Sequence, residues 1–135
     1  MSHPPELPDL FLDRSLGRIV VPDLLRSAGL RLVTLAEHYG IPADQAIADT
    51  EWLTLAGERS WVVFLKDARI RSRTAERLAL TAAGVRCFCL SRQDLTGADM
   101  ARRYLHHLDA ITAACAEPGP FLYLVHESRL ERLPL

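Results

Sequence analysis

The sequence predicts an α/β fold with a mainly parallel sheet, and two observations carry that reading. Three times a helical, amphipathic stretch closes on a small residue plus glycine and gives way almost at once to an apolar, β-branched run: LLRSAG before LRLVTL, LTLAG before WVVFL, and LTAAG before VRCFCL. Those runs are nearly continuous in apolar residues, as strands buried on both faces by crossover helices must be.

Taken in chain order, the Pro-rich residues 1–8 read as a short loose arm, and Leu10–Leu12 as the first strand. A helix follows over Arg18–Ala28, with Pro22 in its first turn, where a missing N–H costs little. Gly29 suits the left-handed position that closes it, and Leu30–Leu35 forms the second strand. The next helix spans Asp49–Arg59 and leads to a strand at Trp61–Leu65, with Gly57 expected as another closing glycine. Arg73–Ala83 is helical and ends at Gly84, before a strand at Val85–Leu90. Thr96 and Asp99 pair as N-cap and acidic third residue of a helix over Ala98–Ala116, whose stripe Met100, Tyr104, Leu108, Ile111 and Cys115 belongs to the core. The turn Glu117-Pro118-Gly119-Pro120 then delivers the last strand, Phe121–Val125.

The length of 135 residues fits one domain, and 49% apolar with 24% charged residues is ordinary globular composition, far from the disordered regime. A formal net charge of −1 argues against polybasic, histone-like binding. No apolar run approaches the ~18 residues of a membrane span, and the start lacks the pattern of a signal peptide, so a soluble cytoplasmic protein is expected, with no membrane partner. Cys87, Cys89 and Cys115 have no zinc-type spacing and read as buried thiols in a reducing compartment. His38, His106 and His107 form no ligand-like pattern, and neither a nucleophilic triad nor a phosphate-binding glycine loop is present.

Chemistry in a parallel α/β sheet is placed beyond the carboxyl ends of its strands, and here those ends are acidic. Asp13 closes the first strand, Glu37 follows the second, Asp67 the third and Asp94 the fourth, while Asp49 and Glu51 open a helix that the same rim could receive. Asp49 also suits an N-cap, Glu51 a first-turn acid, and Asp94 and Glu37 solvated loops. Asp13 and Asp67 are harder to explain away, since each follows a strand apolar enough to be central. Clustered carboxylates repel unless a cation neutralises them, and oxygen ligands without Cys or His select Mg²⁺ or Mn²⁺. Such an ion takes its remaining ligands from water and substrate phosphates, which points to phosphodiester or phosphoryl chemistry. The basic run Lys66, Arg69, Arg71 and Arg73 beside Asp67 suits either a polyanion whose phosphates the arginines hold or a solvated loop whose arginines pair with their own acids.

The runs Phe11-Leu12-Asp13-Arg14-Ser15-Leu16-Gly17, Asp49-Thr50-Glu51-Trp52-Leu53 and Trp61-Val62-Val63-Phe64-Leu65-Lys66-Asp67 with Arg69-Ile70, in this order, resemble the PIN-like domains of VapC-type toxins. Gly84 to Leu90 and Glu117 to His126 extend the likeness over nearly the whole chain. The resemblance implies a single PIN-like domain over 1–135, built as a three-layer α/β/α sandwich. It also implies a Mg²⁺- or Mn²⁺-dependent endoribonuclease, an RNA substrate, a cognate antitoxin, and room for a homodimer. By position, Asp13 matches the first-strand acid, Asp49 or Glu51 the mid-domain acid, and Asp67 the acid after the third strand. Asp13, Asp67 and Asp49 are then the metal ligands, and Glu37 is a further candidate acid. The sequence departs from the pattern at Leu65, where many relatives have a hydroxyl residue, and at Arg69, where a related branch has another aspartate. Two rival readings remain: a catalytically weak or degenerate module that binds RNA or protein, and a small phosphohydrolase acting on nucleotides.

Overall fold

Successive side chains of a strand point to opposite faces of its sheet, and here both faces are covered. A computed structural model describes residues 2–135. The elements run β1 (Leu10–Leu12), α1 (Val20–Ser27), β2 (Leu32–Thr34), α2 (Leu35–Tyr39), α3 (Asp49–Arg59), β3 (Val62–Leu65), α4 (Thr74–Ala83), β4 (Arg86–Leu90), α5 (Gly97–His106), α6 (Leu108–Ala114), β5 (Phe121–Val125) and β6 (Leu130–Leu133). Short 3₁₀ turns occupy Arg14–Leu16, Ala43–Ala46 and Ala68–Arg71. Leu10, Leu12, Val62, Phe64 and Phe88 pack on one face with Val21, Leu25, Tyr104 and Ile111. Phe11, Val63, Leu65, Cys87 and Cys89 pack on the other with Trp52, Leu53, Ala56 and Leu80. The result is the expected three-layer α/β/α sandwich.

The sheet order is β2-β1-β3-β4-β5-β6, parallel from β2 to β5 and antiparallel at the β6 edge. The chain leaves β1 for β2 on one side and places β3 on the other, with Leu12 opposite Thr34 and Phe64. That reversal is a topological switch point, and it opens a crevice at the carboxyl ends of β1 and β3.

The structure departs from the sequence reading in five places. The second strand stops at Thr34, because the Thr34 hydroxyl accepts from the Glu37 N–H (3.1 Å) and the Glu37 carboxylate accepts from the Thr34 N–H (2.9 Å), a capping box that starts α2. Gly57 does not close its helix; α3 runs on to Arg59 and is capped by Ser60 at φ 56°. The single helix expected over 98–116 breaks at His107, whose buried ring nitrogen lies 2.8 Å from the His126 carbonyl oxygen. β6 had no counterpart in the sequence reading. The N-terminal arm is not loose: Leu7 is in the core, and buried His3 accepts from the Arg31 N–H (2.9 Å) and donates to the Leu7 carbonyl (2.8 Å). Met1, part of that arm, lies outside the described residues.

The remaining cores follow expectation. Thr96 caps α5 by accepting from the Asp99 N–H, and Met100, Tyr104, Leu108, Ile111 and Cys115 are all buried. The three cysteines are free and buried, with burial raising Cys89 to about 12 and Cys115 to about 11. Among the described residues no helix is long and apolar enough to cross a membrane.

Candidate active site

β1 ends at Leu12, and Asp13 caps the 3₁₀ turn that follows, accepting from the Ser15 N–H (3.1 Å) and the Ser15 hydroxyl. The side chain is only 5% exposed. Burial pushes its pKa up to about 7, Ser15 and Arg14 pull it down, and the charge of Asp49 pushes it further up. The Asp13 and Asp49 charges are therefore near enough to repel at the switch point.

Asp49 arrives from the first turn of α3, where Trp52 fixes it by donating its indole N–H to Oδ1 (2.9 Å). The Arg14 guanidinium stands 3.6 Å from the same oxygen. Asp67 follows β3 after Lys66 and caps the turn Ala68–Arg71. Arg69 forks onto both its oxygens (2.8 and 3.0 Å) and holds its carboxyl below the usual carboxylate range, against the opposing effect of burial. Arg73 straddles the gap, 3.8 Å from Asp67 and 4.0 Å from Asp49. Ser15 completes the frame by accepting from the Lys66 N–H (3.0 Å), which ties the loop after β1 to the loop after β3.

Other acids of the predicted rim stay out. Glu37 serves the capping box and pairs with Arg26 (2.6 Å). Exposed Glu51 lies by Tyr39, whose pKa is raised by burial first and by Glu51 second. Asp94 pairs with Arg92 (2.7 Å) in solvent. Of the basic run, Arg69 and Arg73 face the carboxylates, whereas Arg71 donates to the Pro134 carbonyl oxygen (3.3 Å).

Among the described residues no three His, Cys, Asp or Glu side chains are drawn together closely enough to hold a metal ion by themselves. The donor set nonetheless fits a hard cation, since Mg²⁺ commonly takes one or two carboxylates and fills the rest of its shell with water and phosphate. Asp13 and Asp49 offer that pair: a buried and a half-buried carboxyl that repel one another, with no neutral nitrogen or sulfur donor among them.

Residues 8–92 match the family described as the PIN like domain. The chain belongs to the PIN-like domain family. It is 44% identical over 128 residues to a Mycobacterium tuberculosis protein named as ribonuclease VapC45, covering 95% of this chain and 93% of that one. No solved structure matches the chain.

Within this PIN-like domain the sequence reading missed the residues that hold the acids in place. Ser15 and Trp52 could be found only as a hydroxyl two residues after a strand-ending aspartate and an indole one turn after a helix-opening one. Arg14 was hidden because its partners lie 30 or more residues away, at Asp44, Ile47 and Asp49.

Proposed function

We propose that this protein is a metal-dependent endoribonuclease and the toxin of a toxin–antitoxin pair. The observation that carries the reading is the buried Asp13 carboxyl, raised to about 7 beside Asp49 at the switch point of the sheet. A structural role would favour an amide there, whereas a cation would turn the repulsion into binding. Asp13, which follows β1, and Asp49, in the first turn of α3, would hold the ion, with Asp67, which follows β3, as the third candidate ligand. When bound, Mg²⁺ or Mn²⁺ supplies charge neutralisation at the phosphodiester and acidifies water. Asp13 would serve as a ligand in its ionised form, and Trp52 and Ser15 keep the two carboxyl groups from turning away. Arg69 and Arg73, which face the carboxylates, hold the phosphates of the RNA strand, with Lys66 and Arg71 of the same basic run flanking them. A cognate antitoxin that brings an arginine to the acids would compete with the ion, since a guanidinium forks onto carboxylates without acting as a Lewis acid.

One observation favours the catalytically weak module instead: Arg69 already forks onto Asp67 within the chain. Incubating single-stranded RNA and free nucleotides with the protein, in Mn²⁺ and in EDTA, separates the readings. A ribonuclease cuts RNA internally in Mn²⁺ only and leaves nucleotides intact. Phosphate release from nucleotides means a phosphohydrolase, and intact RNA in both buffers means a binding module.

A further inference from the structure

A cation taken out of water burdens a fold unless its charge and its donors are met. Arg103, on α5, is only 9% exposed, and among the described residues no carboxylate lies within 4 Å of its guanidinium. Only Nη1 is engaged, donating to the Ser91 hydroxyl (3.1 Å) and to the Val125 carbonyl oxygen (3.4 Å). Nε and Nη2 have no partner among the described residues, yet neither is sealed from solvent, since the sealed and partnerless side-chain atom there is Oδ1 of Asp44. They open onto a cleft of about 250 Å³ that Arg103 lines with Arg102, His106 and Glu127. Around it Arg92 pairs with Asp94 and Arg102 with Asp99 (2.7 Å each), while Glu127 stands exposed. What the cleft offers is therefore the free face of one desolvated guanidinium.

We propose that this cleft is a phosphate-binding subsite for the RNA strand, an inference that rests on the ribonuclease reading and adds where the strand runs beyond the scissile phosphate. Nε and Nη2 share one edge of a guanidinium, and their N–H groups form a fork that matches two oxygens of a phosphate. Arg69 uses the same pair of nitrogens to fork onto Asp67. The cleft lies on the rim of the sheet that carries the acids: Ser91 follows β4 and Val125 ends β5, while Asp13 and Asp67 follow β1 and β3. Neighbouring strands stand about 4.8 Å apart, so the end of β5 is roughly 10 Å along that rim from the end of β3. Gln93 bridges the stretch by donating to the Lys66 carbonyl oxygen. Because the backbone of RNA is charged at every nucleotide, a strand whose scissile phosphate sits at the carboxylates brings a further phosphate to Arg103. The cleft is smaller than the pockets of about 300–1,000 Å³ that enclose a whole small molecule, which suits one group of a strand passing over it.

The test is fluorescence anisotropy of a labelled single-stranded oligouridine titrated with the whole protein across a KCl series, in EDTA so that nothing is cut. The parent is compared with Arg103→Gln, Arg103→Lys and His106→Glu, each checked by thermal melting. Arg103→Gln should bind roughly tenfold more weakly and lower the slope of log K against log[salt] by about 0.7, the share of one phosphate on a single strand. Arg103→Lys keeps the cation and should recover the slope, which a merely structural tie to Ser91 and Val125 does not require. His106→Glu sets a carboxylate at the exposed mouth of the cleft and should weaken binding, and it decides the matter if the Arg103 variants do not fold. The proposal is overturned by a parent that binds no RNA, or by a slope that Arg103→Lys leaves as low as Arg103→Gln does. Unchanged affinity and slope in folded Arg103→Gln or, where that variant does not fold, in His106→Glu overturns it too. Cleavage in Mn²⁺ is scored separately on the parent: cutting with no loss of binding in the variants leaves the ribonuclease reading and removes the subsite, and the expected loss without cutting does the reverse.

Discussion

Asp13 titrates near 7 in the folded chain and at an ordinary 3.8 when exposed, with burial as the main cause. A carboxyl whose pKa is raised by folding stabilises the fold when protonated, and that contribution is full below the unfolded value and lost as pH rises through the folded one. At pH 8 the buried charge therefore costs on the order of a few kcal/mol. Asp13→Asn, melted in EDTA, should be more stable than the parent by several degrees at pH 8, with the gap closing toward pH 4. A constant gap, or a less stable variant at pH 8, would show that Asp13 is neutralised by the protein itself. Asp13, Asp49 and Asp67 were legible because each stands at a strand end or helix start, where local pattern alone locates it. Arg14 and Ser15 were not, because their partners come from other segments: Ser15 reaches Lys66, 51 residues on.

At the scale of elements, α3 and α4 are held in close approach by Gly57. A Cβ built there would lie 2.5 Å from both the Ala83 Cβ and its carbonyl oxygen. Gly57→Ala should thus destabilise the protein by about 1–3 kcal/mol through overpacking, outweighing the ~1 kcal/mol that alanine ordinarily gains in a helix. Urea unfolding checks it, and a stabilised variant would mean that the two helices part without loss. This glycine shows why the sequence misled: small-residue-plus-glycine signals a helix end at Gly29 and Gly84, both at positive φ, but at Gly57 the missing side chain makes room for a neighbour. Two short elements escaped for different reasons. The five residues of α2 are too few to show helical periodicity, and the Leu-Glu-Arg-Leu of β6 carries its charges on a sheet edge. The central strands were readable because a strand buried on both faces cannot hide its composition; β5 begins and ends where the sequence placed it.

At the scale of the whole molecule, the sheet order brings distant acids together. β1 and β3 are neighbours although α1, β2, α2 and α3 lie between them in sequence, so Asp13 and Asp67 share one crevice and α3 swings Asp49 over it. Arg69 and Arg73 then neutralise part of that charge from within the chain. Whether the crevice is a working metal centre or a set of internal ion pairs is decided by titrating Mn²⁺ into the protein at pH 8, with its free concentration read by electron paramagnetic resonance, for the parent, Asp13→Asn and Asp67→Asn. The expected result is a saturable site in the parent, weakened tenfold or more in both folded variants. Mn²⁺ binding no stronger in the parent than in the variants would contradict a carboxylate metal centre at Asp13, Asp49 and Asp67.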